Sequence, residues 1–241
     1  MRQQLKVYLL TVSLLLAVTS QAIGQQLTTI DVPGSTLTQV QAINARGDMV
    51  GQYISSGVTH GFLLSGGQFA SIDVPGATLT FARGINARGE IVGQYNDSAG
   101  VTHGFFLSGG QFTSIDFPGA SFTSARAINE RGEIVGRYTI AGVDHAYSLS
   151  GGRFTTFDFP GASSNSNTAA FGINARGEIV GFYGFYPIAG ATHGFLLSGG
   201  RFTTIDVPGA SFNVALGINS RGDIVGFYTL AGVNHGFLLT K

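Results

Sequence analysis

The sequence predicts an all-β fold, a five-bladed β-propeller with four antiparallel strands per blade. One set of motifs recurs five times between residues 25 and 241, with a period of about 43 residues. Each copy contains four short runs with strand character, separated by turn signals, which is typical of propeller blades. After residue 24, no long helical periodicity appears. One anchor of the repeat is the Asp of Asp-x-Pro-Gly, at Asp31, Asp73, Asp116, Asp158 and Asp206.

The second copy shows how each strand and turn is justified. Its four predicted strands are Phe81–Asn86, Glu90–Tyr95, Thr102–Leu107 and Gln111–Phe117. The first turn is Asn-Ala-Arg-Gly and the third is Ser-Gly-Gly-Gln, where Gly can adopt the left-handed conformation of a tight turn. The fourth strand ends at Pro-Gly, which suits the central positions of a type II turn. The second connection is looser.

The two ends of the repeat array predict closure of the ring. The array begins with Leu27–Val32, which matches the fourth strand of a blade, and it ends at Leu239, after a third strand. We therefore expect the N-terminal strand to complete the last blade, which removes two free sheet edges. A β-solenoid is the alternative fold, but its rungs are usually shorter and its ends need caps.

The first 24 residues have the pattern of a secretory signal peptide. Arg2 and Lys6 precede the apolar segment Val7–Val18, and small residues follow near Gly24. An uncleaved N-terminal anchor is the alternative. We expect residues 25–241 to form a single propeller domain that is secreted, either to a periplasm or to the exterior of the cell. The chain has no Cys, so stability after export must come from sheet packing and ring closure.

Composition argues against nucleic-acid binding. The chain has 13 basic and 13 acidic residues, and its arginines are dispersed through the copies. A balanced charge gives no electrostatic footprint for nucleic acid. The partner classes that remain are a glycan or a cell-surface protein, with no membrane span after signal removal, and we expect a monomer.

Several motifs that recur in order resemble one known family. Gly-Ile-Asn, Gly-Glu-Ile-Val-Gly-x-Tyr and His-Gly-Phe-Leu-Leu are similar to the HAF repeats of bacterial extracellular proteins, which are named for a His-Ala-Phe signature. His145-Ala146-Tyr147 comes nearest to that signature. The resemblance covers about residues 27–239. It implies export and a bacterial source, and it implies no catalytic activity.

Repeated polar residues are the first candidates for function. The Asp before each Pro-Gly most simply stabilises the turn through backbone N–H groups. The histidines lack the local partners of a zinc site, so we predict no metal and no cofactor. They either bridge loop backbone or form five shallow sites, each with the preceding Tyr offering an aromatic face to a sugar. These histidines are His60, His103, His145, His193 and His235.

Positions where the copies differ are the second candidates. The fourth copy is longer, near Ser163–Thr168 and near Gly184–Pro187, and both insertions fall on one predicted loop face. Two positions are polar in the first three copies and apolar in the last two. We predict an aromatic patch beside an arginine-bearing half, unless this asymmetry is only drift between copies. The predicted patch consists of Phe171, Phe182, Phe185, Tyr186 and Phe227, and the arginines are Arg83 and Arg126.

The sequence contains no catalytic constellation that occurs once. Glycosidases of propeller fold need paired carboxylates, but the irregular carboxylates Asp97, Glu130 and Asp144 are scattered. The sequence therefore favours a secreted, non-catalytic binding module, lectin-like in its use of one loop face. A structural or surface-associated repeat protein with protein partners is the alternative, and a glycoside-active enzyme ranks below both.

Overall fold

The structure is a computed structural model that describes residues 28–160, 166–184 and 192–241. The predicted signal peptide, Leu27, Phe185, Tyr186, half of the first predicted insertion and most of the second lie outside the described residues. The chain divides into two units, Met1–Asp31 and Val32–Lys241, and all the sheets belong to the second. The described residues contain 19 strands and no helix, so none of them forms a helix able to cross a membrane.

The strands form five consecutive antiparallel meanders. The first comprises β1 (Leu37–Ile43), β2 (Met49–Ser55), β3 (Val58–Ser65) and β4 (Gln68–Ile72). The second comprises β5 (Leu79–Ile85), β6 (Ile91–Asn96), β7 (Thr102–Ser108) and β8 (Gln111–Ile115). The third comprises β9 (Phe122–Ile128), β10 (Ile134–Ile140), β11 (Val143–Ser150) and β12 (Arg153–Phe157).

The last two meanders follow the same order. The fourth comprises β13 (Asn167–Ile173), β14 (Ile179–Gly184), β15 (Thr192–Ser198) and β16 (Arg201–Ile205). The fifth comprises β17 (Phe212–Ile218), β18 (Ile224–Leu230) and β19 (Val233–Leu239). A parallel bridge joins the second meander to the third, at Thr102 and Phe122, and another joins the fourth to the fifth. The predicted all-β fold is confirmed, and its arrangement is propeller-like.

The turn predictions agree with the backbone. Gly89, in the first turn, has a φ of +79°. Gly109 and Gly110, in the third turn, have φ values of +56° and +78°, as a type I′ hairpin requires. Gly119, in the Pro-Gly turn, has a φ of +79°, as the third position of a type II turn requires.

The hydrophobic core lies between neighbouring meanders. Val92 of β6 packs with Ala125 and Ile128 of β9 and is 0% exposed. The equivalent Val50, Val135 and Val180 are also fully buried. Each of the first four meanders therefore has its inner face covered by the first strand of the next one, and burial of a Val contributes about 1.5 kcal/mol or more.

The fifth junction differs from the other four. Val225, the equivalent of Val92, is 50% exposed, and Ile43 of β1 is 61% exposed. Within the described residues, the fifth meander has three strands, and residues 28–31 form none. The predicted closing strand Leu27–Val32 and the predicted count of five closed blades thus stay predictions.

An asparagine ladder links the meanders at the Asn-x-Arg-Gly turns. The Asn86 side-chain amide donates to the backbone oxygen of Asn129 at 3.2 Å, and three other Asn residues repeat this bond across their junctions. Asn86 Oδ1 accepts from the backbone N–H groups of Arg88 and Glu90. This motif therefore fastens neighbouring meanders. The two Arg-Gly-Asp triplets are part of the motif, and in the first of them Arg46 pairs with Asp48 at 2.9 Å.

Candidate functional site

Each first strand contains a β-bulge, and the bulged residue lines a central channel. In β5, Ala82 pairs with Gly93 and Gly84 pairs with Val92, so Arg83 has no partner in the ladder. A bulge bends the strand and re-aims a side chain. The bulged residues of the five first strands are Gln41, Arg83, Arg126, Phe171 and Leu216.

A strand-two glycine makes each bulge possible. A Cβ on Gly93 would lie 1.9 Å from the carbonyl oxygen of Phe81 and 2.6 Å from the Phe105 ring. The same overlap with a first-strand carbonyl occurs at Gly51, Gly136, Gly181 and Gly226. The Gly of Ile-Val-Gly is therefore required by the close approach of the bulged strand, which positions the channel residues.

The bulged residues surround the end of the channel that is nearer to the Asn-x-Arg-Gly turns. A cavity of about 330 Å³ is lined there by the bulged residue and the two residues that follow it in every first strand. Its wall includes Gln41, Arg83 and Arg126 on one side and Phe171 and Leu216 on the other. The channel is therefore polar along the first three meanders and apolar along the last two.

A second cavity, of about 240 Å³, lies closer to the Pro-Gly turns and shares Arg126 with the first. Three of the five predicted patch residues, Phe171, Phe182 and Phe227, line it. Phe171 and Phe182 have ring centroids 5.6 Å apart, and Phe212 and Phe227 have centroids 5.7 Å apart. The structure thus brings an aromatic wall and arginines together, while Phe185 and Tyr186 fall outside the described residues.

The predicted site omitted four residues of this cavity, Arg137, Phe212, Val214 and Leu216. Arg137 occupies the repeat position of Phe182 and Phe227, so the copy-to-copy comparison that selected the phenylalanines contained the signal for it. Phe212 is the first residue of β17, and its repeat position holds Leu37, Leu79, Phe122 and Asn167 in the other copies. This position does not follow the change from polar to apolar between the first three copies and the last two, so that comparison did not select it.

The arginines of the channel carry unbalanced positive charge. Arg137 pairs with Asp144, whereas Arg83 and Arg126 form no ion pair within the described residues. The Nε atoms of all three are shielded from solvent and have no hydrogen-bond partner there. Burial, with repulsion from Arg83 and Arg137, lowers the pKa of Arg126 to about 9. Burial and the charge of Arg137 also lower the pKa of Arg83.

Aromatic rings compensate for part of this charge. The Arg126 guanidinium lies 5.3 Å from the Phe171 ring centroid, and that of Arg83 lies 4.8 Å from the Phe81 ring centroid. A cation–π contact stabilises a cation by about 0.5–2 kcal/mol, less than a buried carboxylate partner supplies. The channel therefore carries positive charge that the described carboxylates do not balance.

The five histidines lie outside the channel cavities, in the third strands. Each stacks on the Tyr of the preceding strand, with ring centroids 5.0–5.2 Å apart. In the first four meanders, His Nδ1 also contacts the Asp of Asp-x-Pro-Gly, as at His60 and Asp73, 2.8 Å apart. The predicted Tyr–His pairs are therefore present, but the Asp pairs with His, where backbone N–H groups were expected.

The second meander adds one carboxylate to this pattern. Asp97 Oδ2 lies 3.3 Å from His103 Nε2, and Asp116 lies 2.6 Å from His103 Nδ1. Burial lowers the pKa of His103, but the two carboxylates outweigh it and raise the pKa above its ordinary value. Asp116 and Ser114 also line a cavity of about 360 Å³ between the second and third meanders.

The irregular carboxylates have structural partners. Asp97 accepts the backbone N–H of Val101 at 2.8 Å, Glu130 accepts that of Ala87 at 2.9 Å, and Asp144 accepts the Thr139 hydroxyl at 2.6 Å. They are not assembled into a pair around one cavity. Among the described residues, no cluster of three or more His, Cys, Asp or Glu side chains could hold a metal ion.

Comparisons with known proteins identify the fold. No family model matches the chain, and no curated protein matches its sequence. The chain is similar to the fucose-specific lectin from Aleuria aurantia, with a TM-score of 0.53, 15% identity, and coverage of 83% of this chain and 73% of that one. Another structure of an Aleuria aurantia lectin, described as a six-bladed β-propeller, gives a TM-score of 0.51 at 14% identity, covering 83% of this chain and 74% of that one.

One further solved structure comes from an enzyme. A prolyl endopeptidase matches with a TM-score of 0.57 and 10% identity, over 87% of this chain and 34% of that one. At such identities these likenesses show the fold alone. The propeller-like architecture is therefore established, and the function must be argued from the channel.

Proposed function

We propose that the protein is a non-catalytic, lectin-like binding module whose ligand site is the channel. The observation that carries this proposal is the convergence of Phe171, Phe182 and Phe227 with Arg126 around one cavity. Aromatic faces beside a few charged donors are the usual composition of small-ligand sites. A fold shared with fucose-binding lectins supports a sugar as the ligand class.

The cavity dimensions agree with a small ligand. Pockets that bind small molecules usually enclose about 300–1,000 Å³. The two channel cavities, of about 240 and 330 Å³, share Arg126 and together fall in that range. A mono- or disaccharide fits such a space, and its apolar ring face would contact the phenylalanine wall.

A glycan array on the purified protein tests this proposal. We expect binding by the wild type and a loss of about 100-fold or more in Phe182→Ala/Phe227→Ala, because buried aromatic anchors dominate binding energy. Phe69→Ala/Phe112→Ala is the matched control, since both rings are half-buried in meander cores away from the channel. Equal loss in the control would point to unfolding, and no binding by the wild type would refute the proposal.

The Tyr–His pairs are the second candidate site for the same function. They are favoured by the cavity beside Asp116 and by their fivefold repetition. Glycan binding that survives Phe182→Ala/Phe227→Ala but is lost in Tyr95→Ala/Tyr138→Ala would transfer the site to them.

We also propose that the ring closes as five blades through Leu27–Val32. The support is the repeat register, in which Leu27–Val32 matches the fourth strand, and the state of His235. Within the described residues, His235 stacks on Tyr228 but lacks the Asp that its four equivalents have. Asp31 is the repeat equivalent of those aspartates. Closure would bury Val225 as fully as Val135. The loss of stability in Val225→Ala, compared with that in Val135→Ala, measures this burial.

The alternative function is a structural or surface-associated role with protein partners. It is favoured by exposed apolar side chains at the fifth junction, among them Val225 at 50% and Leu238 at 64% exposure. Such residues often mark interaction surfaces. Sedimentation of the protein as a concentration-dependent oligomer, with no glycan bound, would favour this role.

Export is part of the proposal, because residues 1–24 carry the signal-peptide pattern. N-terminal sequencing of the protein recovered from a bacterial periplasm or medium should start near Gln25. Recovery of an intact Met1 in a membrane fraction would favour an anchor.

A further inference from the structure

We infer that the channel binds a carboxylate-bearing, acidic saccharide, with the carboxylate held between the guanidinium groups of Arg83 and Arg126. This inference rests on the proposed glycan-binding function and assigns it a ligand class. It depends on the balance of charge in the channel, on the geometry of the bulges, and on the partners of three arginines.

Positive charge exceeds negative charge among the described side chains around the channel. Arg83, Arg126 and Arg137 lie close enough for their charges to interact, and among the described residues one carboxylate, Asp144, forms an ion pair with one of them, Arg137. Like charges gathered away from water repel each other and cost free energy unless an anion joins them. Two guanidinium groups in excess, each with a shielded Nε that has no hydrogen-bond partner among the described residues, are therefore a costly arrangement.

The sequence could have avoided this cost. The same bulge position is occupied by the neutral Gln41 in the first meander and by Phe171 and Leu216 in the last two. The bulge therefore accepts polar and apolar residues alike, so the fold does not require arginine there. Two neighbouring meanders carry arginine, side by side, and both line the same cavity.

The residue type fits a carboxylate. A guanidinium presents a planar fork of N–H donors that matches the two oxygens of a carboxylate, and it keeps its charge at neutral pH. Arg137 already donates from Nη1 to one carboxylate oxygen of Asp144, so a carboxylate between Arg83 and Arg126 would add a second pairing of the same two groups. The ring of the acidic sugar would then lie toward the phenylalanine wall.

The position of the wall supports a ligand with one acidic end and one less polar face. Arg126 lines both cavities, so a carboxylate bound to it would lie beside Phe171. The rest of the ligand would then extend toward Phe182 and Phe227. A free inorganic anion would leave the aromatic wall uncovered. A uronic or sialic acid residue uses both halves of the channel.

The test uses paired acidic and neutral glycans. The array holds uronic-acid and sialylated oligosaccharides, their carboxyl-reduced counterparts, and sulfated glycans. It is probed with the wild type and with Arg83→Met/Arg126→Met, which keeps the length of the side chains and removes their charge. The matched control is Arg153→Met/Arg201→Met, since those arginines are exposed on β12 and β16 and the variant loses the same net charge.

We expect the wild type to bind the acidic glycans at least about 100-fold more tightly than the reduced ones, as for a buried charge pair. The channel variant should lose this preference and the surface variant should keep it. The ligand-free channel variant should also melt at a temperature equal to or above that of the wild type, because two uncompensated charges are gone. This melting measurement separates a lost site from a lost fold.

Other outcomes separate the inference from the proposed function. Binding of neutral glycans that is unaffected by Arg83→Met/Arg126→Met would leave the lectin proposal standing and overturn the acidic ligand. Binding confined to sulfated glycans would overturn the inference that the ligand's acidic group is a carboxylate. Binding of acidic glycans that drops equally in the surface variant would reduce the effect to long-range attraction and overturn the site. No glycan binding at all would overturn both proposals.

Discussion

The contacts that link and brace the meanders are conserved between copies, whereas the side chains that line the channel differ between copies. The Asn ladder and the Tyr–His stacks recur with nearly unchanged geometry. Their hydrogen-bond and ring-centroid distances vary by a few tenths of an ångström between copies. In the channel, the backbone also recurs, since every first strand has the bulge. The side chain on the bulge changes from Gln to Arg to Phe to Leu. Repetition therefore marks what builds the fold, and divergence marks where a single ligand can be recognised.

The largest expected effect tests the repeated scaffold. Gly93→Ala should destabilise the protein by about 3 kcal/mol, at the upper end of the cost of overpacking, because its Cβ would overlap a backbone oxygen. Gly104→Ala is the matched control and should cost less than about 1 kcal/mol, since the third meander carries Ala146 there. Urea unfolding of both variants measures the difference. Equal effects would mean that the bulge tolerates a side chain opposite it.

An intermediate effect sharpens the comparison between junctions. Val135→Ala should cost about 2 kcal/mol, because Val135 is fully buried between the third and fourth meanders. With the ring closed as proposed, Val225→Ala should cost nearly as much in the full chain. A cost below about 0.5 kcal/mol, as at exposed sites, would show an open fifth junction in solution and contradict closure.

The smallest expected effect concerns pH. The folded pKa of His103 is raised, so its interaction with Asp116 and Asp97 stabilises the fold fully below the unfolded value of 6.5. That contribution is lost as pH rises through the folded pKa. Asp97→Asn should lower the pKa of His103 in an NMR titration and shrink the difference in stability between pH 5 and pH 8, by less than about 1 kcal/mol. An unchanged pKa of His103 in Asp97→Asn would show that Asp97 does not interact with His103.

Much of the fold could be predicted because its signals are local. Turn glycines, alternating strands and a fixed period lie within single copies, and so the strands of the second copy are placed to within two residues. The channel was accessible through differences between copies, which selected Phe171, Phe182, Phe227, Arg83 and Arg126. What could not be predicted depends on register across strands. The bulge, the His–Asp pairs and the Arg137–Asp144 pair appear only when the pairing of residues between neighbouring strands is known.

The repeated histidines show the limit of composition as a guide. Five histidines at one spacing suggested five sites, yet each is held by a Tyr ring, and four are held by an Asp as well. Hydrogen-bonded networks of this kind rigidify a fold when they are satisfied. Within the described residues, Arg83 and Arg126 form no ion pair, and the fold brings these two residues, which are distant in the sequence, to one cavity.

The most direct test of the channel as the ligand site is a crystal structure of the protein grown with an oligogalacturonide. We predict density for the saccharide in the channel, with a carboxylate contacting Arg83 and Arg126 and a ring against Phe171 or Phe182. Density at the Tyr–His stacks, with the channel free of saccharide, would contradict the assignment of the site.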